Sequence, residues 1–327
     1  GTAMRIRRFH EAFGPESRRR AARFMSESGK ELRWSNGHNG HGTPVLDPDK
    51  LARFSPARTR VAEVLAESGG TFAPRRIERR EILSITGLSI HFGGVHALEN
   101  VDLNARTGEI AGVIGPNGAG KTTLFNCLSG LLTPDAGTII FDGHRLHRAP
   151  AYRARKGLGR TFQTPRLFRS LSVLDNLNFG CRTADAAART YEFDPGLHRL
   201  PHHQRAERIA AMVGFRAPLS VPAGSLPFGD LRTVELARAL CGAPSLLMLD
   251  EPASGLDVSQ AEEFVALLRT LSDLGLAVLL IEHDMSLVMG ICNHITVLDF
   301  GQVIAEGTPA DVQANDAVIE AYLGRTA

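Results

Sequence analysis

The residues with the clearest chemical meaning form a glycine-rich loop ahead of a helical stretch. From Gly115 to Thr122 the sequence matches the pattern GxxxxGK[ST], and it follows the apolar run from Ile110 to Ile114. A loop of this kind wraps its backbone N–H groups, with the N-terminus of the next helix, around a polyphosphate. Lys121 would neutralise the phosphates and the Thr122 hydroxyl would ligate Mg²⁺, so the sequence predicts ATP or GTP as the ligand. The residues predicted to contact the nucleotide here are Gly115, Pro116, Asn117, Gly118, Ala119, Gly120, Lys121, Thr122 and Thr123.

Two adjacent carboxylates, Asp250 and Glu251, end the apolar run that begins at Leu246. Because alternate residues of a strand point in opposite directions, the two side chains would serve different tasks. Asp250 would enter the Mg²⁺ shell, while Glu251 would emerge beside the terminal phosphate. A carboxylate pair at a strand end is by itself more often a plain strand terminus. It is the preceding phosphate loop that favours a site for hydrolysis.

The elements that must position these groups alternate short β-rich runs with helical stretches from Glu81 onward. This alternation predicts an α/β fold with a largely parallel sheet. The predicted strands are Ile82 to Ile90, Ile110 to Ile114, Thr138 to Phe141, Leu246 to Asp250, Val278 to Glu282 and Ile295 to Asp299. Strand-like runs are missing between about Val173 and Val213, which predicts a helical subdomain inserted at about residues 165–242.

With these motifs in this order, residues 83–324 resemble the ATP-binding subunits of ABC transporters. The resemblance implies a P-loop NTPase of the ABC ATPase type, with a mostly parallel sheet core, an antiparallel β portion and the inserted helices. Three further motifs match the family: the glutamine loop at Gln163, the D-loop at Asp257 and the switch histidine at His283.

The family implies a role for each of these three residues. Gln163 would reach Mg²⁺ and the attacking water, His283 would hold the γ-phosphate, and Asp257 would line the seam of an ATPase dimer. The residues expected to be catalytic are therefore Glu251, His283 and Gln163, and the expected Mg²⁺ ligands are Thr122, Gln163 and Asp250.

Two other motifs of the family concern the nucleotide. Phe92 matches the aromatic residue that stacks on adenine, where a flat ring accepts any purine; an ordinary core phenylalanine at a strand end is the alternative. The signature motif, which binds the γ-phosphate held by the opposite subunit, matches Leu226, Phe228 and Gly229. It departs from the family at Pro227, which has neither a hydroxyl nor an N–H group to donate. Because Gly229 and the helix dipole remain, the resemblance implies a weakened anion site rather than a lost one.

Within the superfamily the chain looks like the ATPases of branched-chain amino acid importers. The sequences that carry this resemblance are Gly159-Arg160-Thr161-Phe162-Gln163, Arg166-Leu167-Phe168 and residues 171–177, 283–289 and 306–324. It implies that two such ATPases, identical or paralogous, dock on two permease subunits through the surface from Pro165 to Leu177. An extracytoplasmic solute-binding protein would be an indirect partner, and the chain would lie at the cytoplasmic face of the membrane. The solute stays open among branched-chain amino acids, other amino acids, amides and urea.

The first 80 residues differ from the rest in charge. They carry 17 basic against 9 acidic residues, although the whole chain has a net charge of +2. Their weak apolar periodicity predicts a mostly disordered extension with one helix near Leu51 to Glu67, and the residues before Met4 resemble a cloning remnant. Contact with anionic lipid or nucleic acid is one meaning of such a basic run, and a solvated tail is the commoner one. The ATPase domain is accordingly assigned to residues 81–327.

Composition argues against several other classes of protein. The four cysteines are far apart with no CxxC pair, which disfavours a disulfide scaffold or a zinc ribbon. The longest apolar stretches are far shorter than the roughly 20 residues that cross a bilayer. Two alternatives stay open: a soluble ABC ATPase acting on the ribosome or on nucleic acid, and a catalytically attenuated partner subunit of a heterodimeric transporter. A single ATPase domain without a long coiled coil makes nucleic acid an unfavoured partner, and intact Glu251 and His283 disfavour the second alternative.

Overall fold

The computed structural model describes residues 55–67, 78–146, 149–185, 197 and 200–323. The expectations for the rest of the basic extension, including its disorder, lie outside these residues. The strands are β1 (Glu81–Phe92), β2 (Val95–Arg106), β3 (Ile110–Ile114), β4 (Ala136–Phe141), β5 (His144–Arg145), β6 (Leu158–Arg160), β7 (Leu246–Asp250), β8 (Ala277–Ile281), β9 (His294–Asp299) and β10 (Gln302–Gly307). The α-helices are α1 (Ser55–Glu67), α2 (Lys121–Ser129), α3 (Pro150–Arg155), α4 (Val173–Asp185), α5 (His202–Met212), α6 (Phe228–Cys241), α7 (Val258–Asp273), α8 (Met285–Ile291), α9 (Pro309–Ala314) and α10 (Asp316–Leu323).

Two sheets contain these strands. A four-stranded antiparallel sheet has the order β2-β1-β4-β5, and a six-stranded sheet has the order β10-β9-β3-β8-β7-β6. In the larger sheet β9, β3, β8, β7 and β6 run parallel, and β10 pairs antiparallel with β9 at one edge. The predicted α/β fold, with a mostly parallel sheet and an antiparallel β portion, is confirmed.

The central parallel strands are short apolar runs that are buried along their whole length. In β3, β7 and β8 all five residues are buried. Strands of a parallel sheet have this composition because neither face of the sheet meets water. Parallel strands also end at the same edge of the sheet, so the residues that follow β3, β7 and β8 come together. That edge carries the predicted site.

Four strands are missing from the set predicted from the sequence, and several predicted boundaries differ by one or two residues. β2 alternates buried and exposed residues and carries many polar side chains, as expected for a strand with one face toward solvent. β5 and β6 have only two and three residues, and no residue of β10 is fully buried. The strand predicted to end at Glu282 ends at Ile281, so Glu282 belongs to the loop beyond β8.

The helical subdomain is inserted between β6 and β7. Its helices α4, α5 and α6 pack on one another, with α4 in contact with both α5 and α6. Among the described residues between Val173 and Val213 there is no strand, as the sequence predicted. The subdomain begins immediately after the glutamine loop, which therefore joins it to the sheet.

Helix α1 precedes the first strand and packs onto the body of the fold. It contacts α5 of the helical subdomain and α7 beside the sheet. The residues of its buried face, which join the main hydrophobic core, are Ala57, Val61, Val64 and Leu65. The helix predicted near Leu51 to Glu67 is thus present, and it is part of the folded body.

Ion pairs connect α1 to both of its neighbours. Arg60 lies 2.7 Å from Glu263 of α7, and Glu67 lies 2.8 Å from Arg208 of α5. All four of these side chains are partly exposed, so water weakens each attraction. Burial of the apolar face is therefore the main source of the stability of this contact.

All four cysteines are buried, and none of them forms a disulfide. In the described part of the chain, no helix combines the length and the apolar character needed to cross a membrane.

Candidate active site

The phosphate loop connects β3 to α2 at the edge of the large sheet. Its backbone has positive φ at Gly115 (152°), Gly118 (84°) and Gly120 (101°). A Cβ atom on Gly115 would lie 2.0 Å from the carbonyl oxygen of Leu298, so a larger residue would push the loop away from β9. Glycine is required here by close approach of backbone to backbone as well as by φ. The predicted nucleotide contacts from Gly115 to Thr123 accordingly comprise this loop, up to Gly120, and the first three residues of α2.

Lys121 begins α2 and folds back over the loop. Its Nζ donates hydrogen bonds to the carbonyl oxygens of Gly115 (2.8 Å) and Pro116 (2.9 Å). Burial lowers the pKa of Lys121, and the nearby carboxylates of Glu251 and Asp250 oppose this effect. The ammonium group and the N-terminus of α2 place positive charge on the same side of the loop, which suits an anionic ligand.

Asp250 is the last residue of β7, and its side chain is only 7% exposed. Burial raises the pKa of its carboxyl group, because desolvation disfavours the charged form. Arg160 opposes this rise by donating to Asp250 Oδ2 at 3.4 Å. A carboxylate this deeply buried stays charged only beside such positive groups.

Glu251 follows directly but has different surroundings. Its φ is +46°, a conformation that residues other than glycine rarely adopt, and its N–H donates to the Ile281 carbonyl at 2.9 Å. Its side chain is 23% exposed, against 7% for Asp250. Strained backbone of this kind persists where neighbouring structure fixes it, and it is frequent at functional sites.

The structure brings Glu251, Gln163 and His283 together. Gln163 Nε2 donates to Glu251 Oε2 at 2.9 Å, and His283 Nδ1 lies 3.6 Å from the same oxygen. The three residues come from the ends of β7, β6 and β8, three neighbouring strands. Only the parallel arrangement makes residues so distant in sequence meet around one carboxylate.

Glu282 was not predicted as a site residue, yet it fixes two loops that carry predicted site residues. Its carboxylate accepts hydrogen bonds from the N–H groups of Ala253 (3.0 Å) and His283 (3.1 Å). Glu282 is 1% exposed, and burial raises the pKa of its carboxyl group. It joins the loop after β7 to the loop after β8. Its place beside His283 was the one available signal, and nothing in the sequence indicated that it is buried.

Two buried residues of α6 were also missed. Arg232 donates to the carbonyl oxygens of Phe162 (3.3 Å) and Gln163 (2.6 Å), while Glu235 accepts from the N–H of Arg166 (2.8 Å). Arg232 and Glu235 are three residues apart on one helix and so share a face. They hold the glutamine loop by its backbone.

Phe92 ends β1 and is paired across the hairpin with Val95, the first residue of β2. The two side chains are 48% and 66% exposed, so they form an apolar tip rather than part of the core. This exposure disfavours the alternative of an ordinary core phenylalanine. An exposed aromatic face of this kind can stack on a purine.

The signature motif lies at the start of α6. Pro227 is the N-cap residue and makes no side-chain capping hydrogen bond, and Leu226 precedes it in extended conformation. Phe228 is 45% exposed, and Gly229 is half-buried at the helix start. The first turn of α6 is thus accessible to a partner from outside the chain.

Asp257 begins α7 as a capping residue. Its side chain accepts the N–H of Gln260 at 2.8 Å, and Gln260 Oε1 in turn accepts the N–H of Asp257 at 3.1 Å. Such a capping box fixes the direction in which the chain enters the helix. Asp257 therefore has a structural role in holding the D-loop, whatever contact it makes with a second subunit.

The donor set at this edge fits Mg²⁺. The predicted ligands Thr122, Asp250 and Gln163 all offer oxygen atoms, which this ion prefers. No group of three or more His, Cys, Asp or Glu side chains that could enclose a metal occurs within the described ranges. A site with one carboxylate, completed by phosphate oxygens and water, is the usual one for Mg²⁺.

Comparison with protein families agrees with this geometry. Residues 98–254 match the family model described as ABC transporter, and residues 302–327 match the one described as branched-chain amino acid ATP-binding cassette transporter. The first match includes the phosphate loop and ends just after Glu251. The second begins at β10 and includes α9 and α10.

Individual relatives match more of the chain than either family model does. The chain is 41% identical over 255 residues to the high-affinity branched-chain amino acid transport ATP-binding protein BraF of Pseudomonas aeruginosa, covering 75% of this chain and 98% of the relative. It is 41% identical over 253 residues to LivG of Escherichia coli strain K12, covering 74% and 98%. Among solved structures, the ADP conformation of MJ1267, an ATP-binding cassette of an ABC transporter, has a TM-score of 0.64 and 29% identity, covering 75% of this chain and all of that one.

Proposed function

The chain belongs to the ATP-binding proteins of ABC transporters, and we propose that it hydrolyses ATP to power import of branched-chain or related amino acids through a separate permease. The observation that carries the chemical part is the group of Glu251, Gln163 and His283 around one carboxylate oxygen. The names of the relatives support the solute class.

In this proposal Glu251 orients and deprotonates the water that attacks the γ-phosphorus of ATP. The bond from that phosphorus to the oxygen of ADP breaks, and inorganic phosphate leaves. Gln163 holds the carboxylate of Glu251 through its amide, and His283, 3.6 Å from the same carboxylate, would hold the γ-phosphate. Positioned general bases of this kind contribute about 10²–10⁴-fold to rate.

The developing negative charge is stabilised by groups that are already in place. Lys121 and the first N–H groups of α2 face the phosphates, so little rearrangement is needed as charge builds up. Bound Mg²⁺, held by Thr122, Asp250 and Gln163, would polarise the phosphoryl oxygens. Phe92 would hold the adenine ring outside this polar region.

We propose that the permease docks beside the glutamine loop. Phe168 and Phe179 are 51% and 42% exposed, their rings are 4.9 Å apart, and they line a groove of about 360 Å³. Asn176, fully buried, fixes Phe168 by accepting its N–H at 2.9 Å and donating to its carbonyl at 3.1 Å. An exposed aromatic pair on a fixed backbone favours a protein partner at this surface.

A second ATPase subunit, identical or paralogous, would complete the site. Its signature motif would meet the nucleotide bound at this chain's phosphate loop, and Leu226, Phe228, Gly229 and Asp257 of this chain would do the same for the partner's nucleotide. An extracytoplasmic binding protein would deliver the solute, and the ATPase would lie at the cytoplasmic face of the membrane. The ATPase domain in this proposal is residues 81–327, with the helical subdomain at about 165–242, and the buried face of α1 joins its core.

A second candidate rests on Pro227. Because this residue supplies neither a hydroxyl nor an N–H group, the site that this chain completes on its partner would bind phosphate less tightly. The chain would then be one half of a heterodimer whose two sites differ in rate. Its own phosphate loop would remain fully active.

The test is affinity purification of the Glu251→Gln variant from native membranes with Mg-ATP, followed by mass spectrometry. Blocked hydrolysis should trap the closed dimer, so we expect a multi-span permease to co-purify. A paralogous ATPase would support the heterodimer, and its absence would support a homodimer. The parent chain with ADP is the control. Recovery of ribosomal proteins or nucleic acid without a permease would reject the transporter proposal.

A further inference from the structure

Arg160 is a buried charge for which the proposed chemistry has so far no use. Its side chain is 7% exposed, and it ends β6, three residues before Gln163. The guanidinium lies 5.7 Å from the centre of the Phe125 ring and 4.7 Å from that of Phe162. An arginine enclosed in this way by two aromatic faces is held at a fixed position.

The two ends of the guanidinium bind different parts of the site. Nη1 lies 2.9 Å from Asn126 Oδ1, 2.6 Å from Ser129 Oγ and 3.2 Å from the Phe125 carbonyl oxygen, all on α2. Nη2 lies 3.4 Å from Asp250 Oδ2. One side chain therefore connects the helix that carries the phosphate loop with the carboxylate that ends β7.

The charge balance favours a lasting contact between Arg160 and Asp250. Burial lowers the pKa of the Arg160 guanidinium, and the Asp250 carboxylate opposes this change. The guanidinium and the carboxylate carry opposite charges, and both side chains are shielded from water. Removing either one would leave a buried charge uncompensated, which is much more costly than losing an exposed ion pair.

We propose that Arg160 is a positioning residue for the Mg²⁺ site: it holds Asp250 through Oδ2 and fixes that carboxylate relative to the phosphate loop. The proposal deepens the proposed function and rests on it, because it assumes that Asp250 serves the ion bound with ATP. Since Arg160 contacts Oδ2, Oδ1 remains for the hydration shell of the ion. Groups that orient a metal ligand commonly change metal affinity or activity about 10–100-fold when removed.

Arg153 provides a matched control. It too is a buried arginine, 5% exposed, and it donates to the carbonyl oxygens of Cys127 (2.5 Å) and Leu128 (2.8 Å) in the same C-terminal part of α2. Burial lowers the pKa of both guanidinium groups. Only Arg160 contacts Asp250, so the two arginines separate support of the helix from positioning of the carboxylate.

The experiment measures the affinity of a fluorescent ATP analogue, once in EDTA and once in saturating Mg²⁺, for the full chain and for Arg160→Met, Arg160→Lys and Arg153→Met. The readout is the factor by which Mg²⁺ raises affinity. We expect Arg160→Met to reduce this factor about tenfold and to leave the affinity in EDTA within about twofold. Arg160→Lys keeps the charge but cannot reach α2 and Asp250 together, so we expect about a threefold reduction.

Arg153→Met is expected to lower Tm and to leave the Mg²⁺ factor unchanged. If Arg160→Met lowers Tm as Arg153→Met does and also leaves the factor unchanged, Arg160 is only structural and the proposal is overturned. If Arg160→Met does not fold, the factor measured for Arg160→Lys decides in the same way. A parent chain that does not bind the ATP analogue at all would instead reject the proposed function.

Discussion

The sheet edge and the base of the helical subdomain both carry charged residues, but they use them in opposite ways. At the sheet edge the side chains of Glu251 and His283 are 23% and 36% exposed, and their polar atoms lie 3.6 Å from each other. At the base of the subdomain Arg232 and Glu235 are 8% and 1% exposed, and they bind backbone groups of the glutamine loop. The first region can act on a ligand, whereas the second holds the first in position.

Mutations should therefore change the ATPase rate in the first region and the free energy of unfolding in the second. A group whose hydrogen bonds go to a substrate can be removed without loss of folding. A group that is buried and bonded to backbone leaves unsatisfied polar atoms behind when it is removed. The two regions are adjacent in space, yet their variants should differ in kind.

The largest effect is expected at the sheet edge. Glu251→Gln keeps the size and most contacts of the side chain but removes the base, so we expect the ATPase rate to fall by about 100-fold or more. The free energy of unfolding should stay within about 0.5 kcal/mol of the parent, because the residue is partly exposed. Phosphate release and urea unfolding measure the two quantities. Equal ATPase rates for the variant and the parent would reject the role given to Glu251.

The second-largest effect is expected at the base of the helical subdomain, and it is a loss of stability. Glu235→Ala leaves the N–H groups of Arg166 and Phe162 without their acceptor and removes a negative charge near the buried Arg232. We therefore expect the free energy of unfolding to fall by about 3 kcal/mol. Urea unfolding followed by circular dichroism measures it. Glu207→Ala, an exposed glutamate of α5, is the control and should change stability by less than about 0.5 kcal/mol. Similar stability of the two variants would contradict the contrast between the regions.

A smaller effect at the sheet edge concerns binding alone. Phe92→Ala removes the exposed aromatic face at the end of β1, and we expect the affinity for ATP to fall about tenfold, since a stacked base contributes about 1–3 kcal/mol. Phe92→Tyr keeps the ring and should retain the affinity. Equilibrium titration with a fluorescent ATP analogue measures both. If Phe92→Ala binds ATP as the parent does, the adenine ring lies elsewhere.

The smallest effect is expected for an exposed pair of opposite charges. Arg208 of α5 and Glu67 of α1 are 26% and 69% exposed, so their contact should contribute less than about 1 kcal/mol in a double-mutant cycle. The cycle uses Arg208→Ala, Glu67→Ala and the double variant, with urea unfolding as the measurement. A coupling free energy as large as the stability loss expected for Glu235→Ala would contradict the contrast. Exposure would then not explain why buried and exposed charged residues differ in their contribution to stability.

The residues predicted for the sheet edge meet there, and a physical reason made them recognisable in the sequence. Phosphate binding needs glycines, a lysine and a hydroxyl at fixed spacing, and the strand ends that carry Asp250, Glu251 and His283 are apolar runs that are easy to recognise. The buried strands β3, β7 and β9 were placed to within a residue for the same reason.

The supporting residues could not be predicted in this way. Arginine and glutamate are common on the exposed faces of helices. Only tertiary packing buries Arg232 and Glu235, so their residue types do not reveal it. Arg160 stood within a recognised motif, but its contact with Asp250 depends on β6 and β7 being neighbours. β2 was missed because Glu99 and other polar residues along it hide the alternation that marks a one-sided strand.

Strand β3 lies inside the large sheet, and its position determines how rarely it unfolds. β3 is hydrogen-bonded to β8 on one side and to β9 on the other, and all five of its residues are buried. The amide hydrogens of such a strand exchange with solvent only when the whole domain unfolds, whereas loops move many orders of magnitude faster. The phosphate loop, which begins at Gly115, is thus anchored to a strand that we expect to stay folded as long as the domain does. One molecule can bind and release nucleotide many times without once breaking the strand that carries the loop.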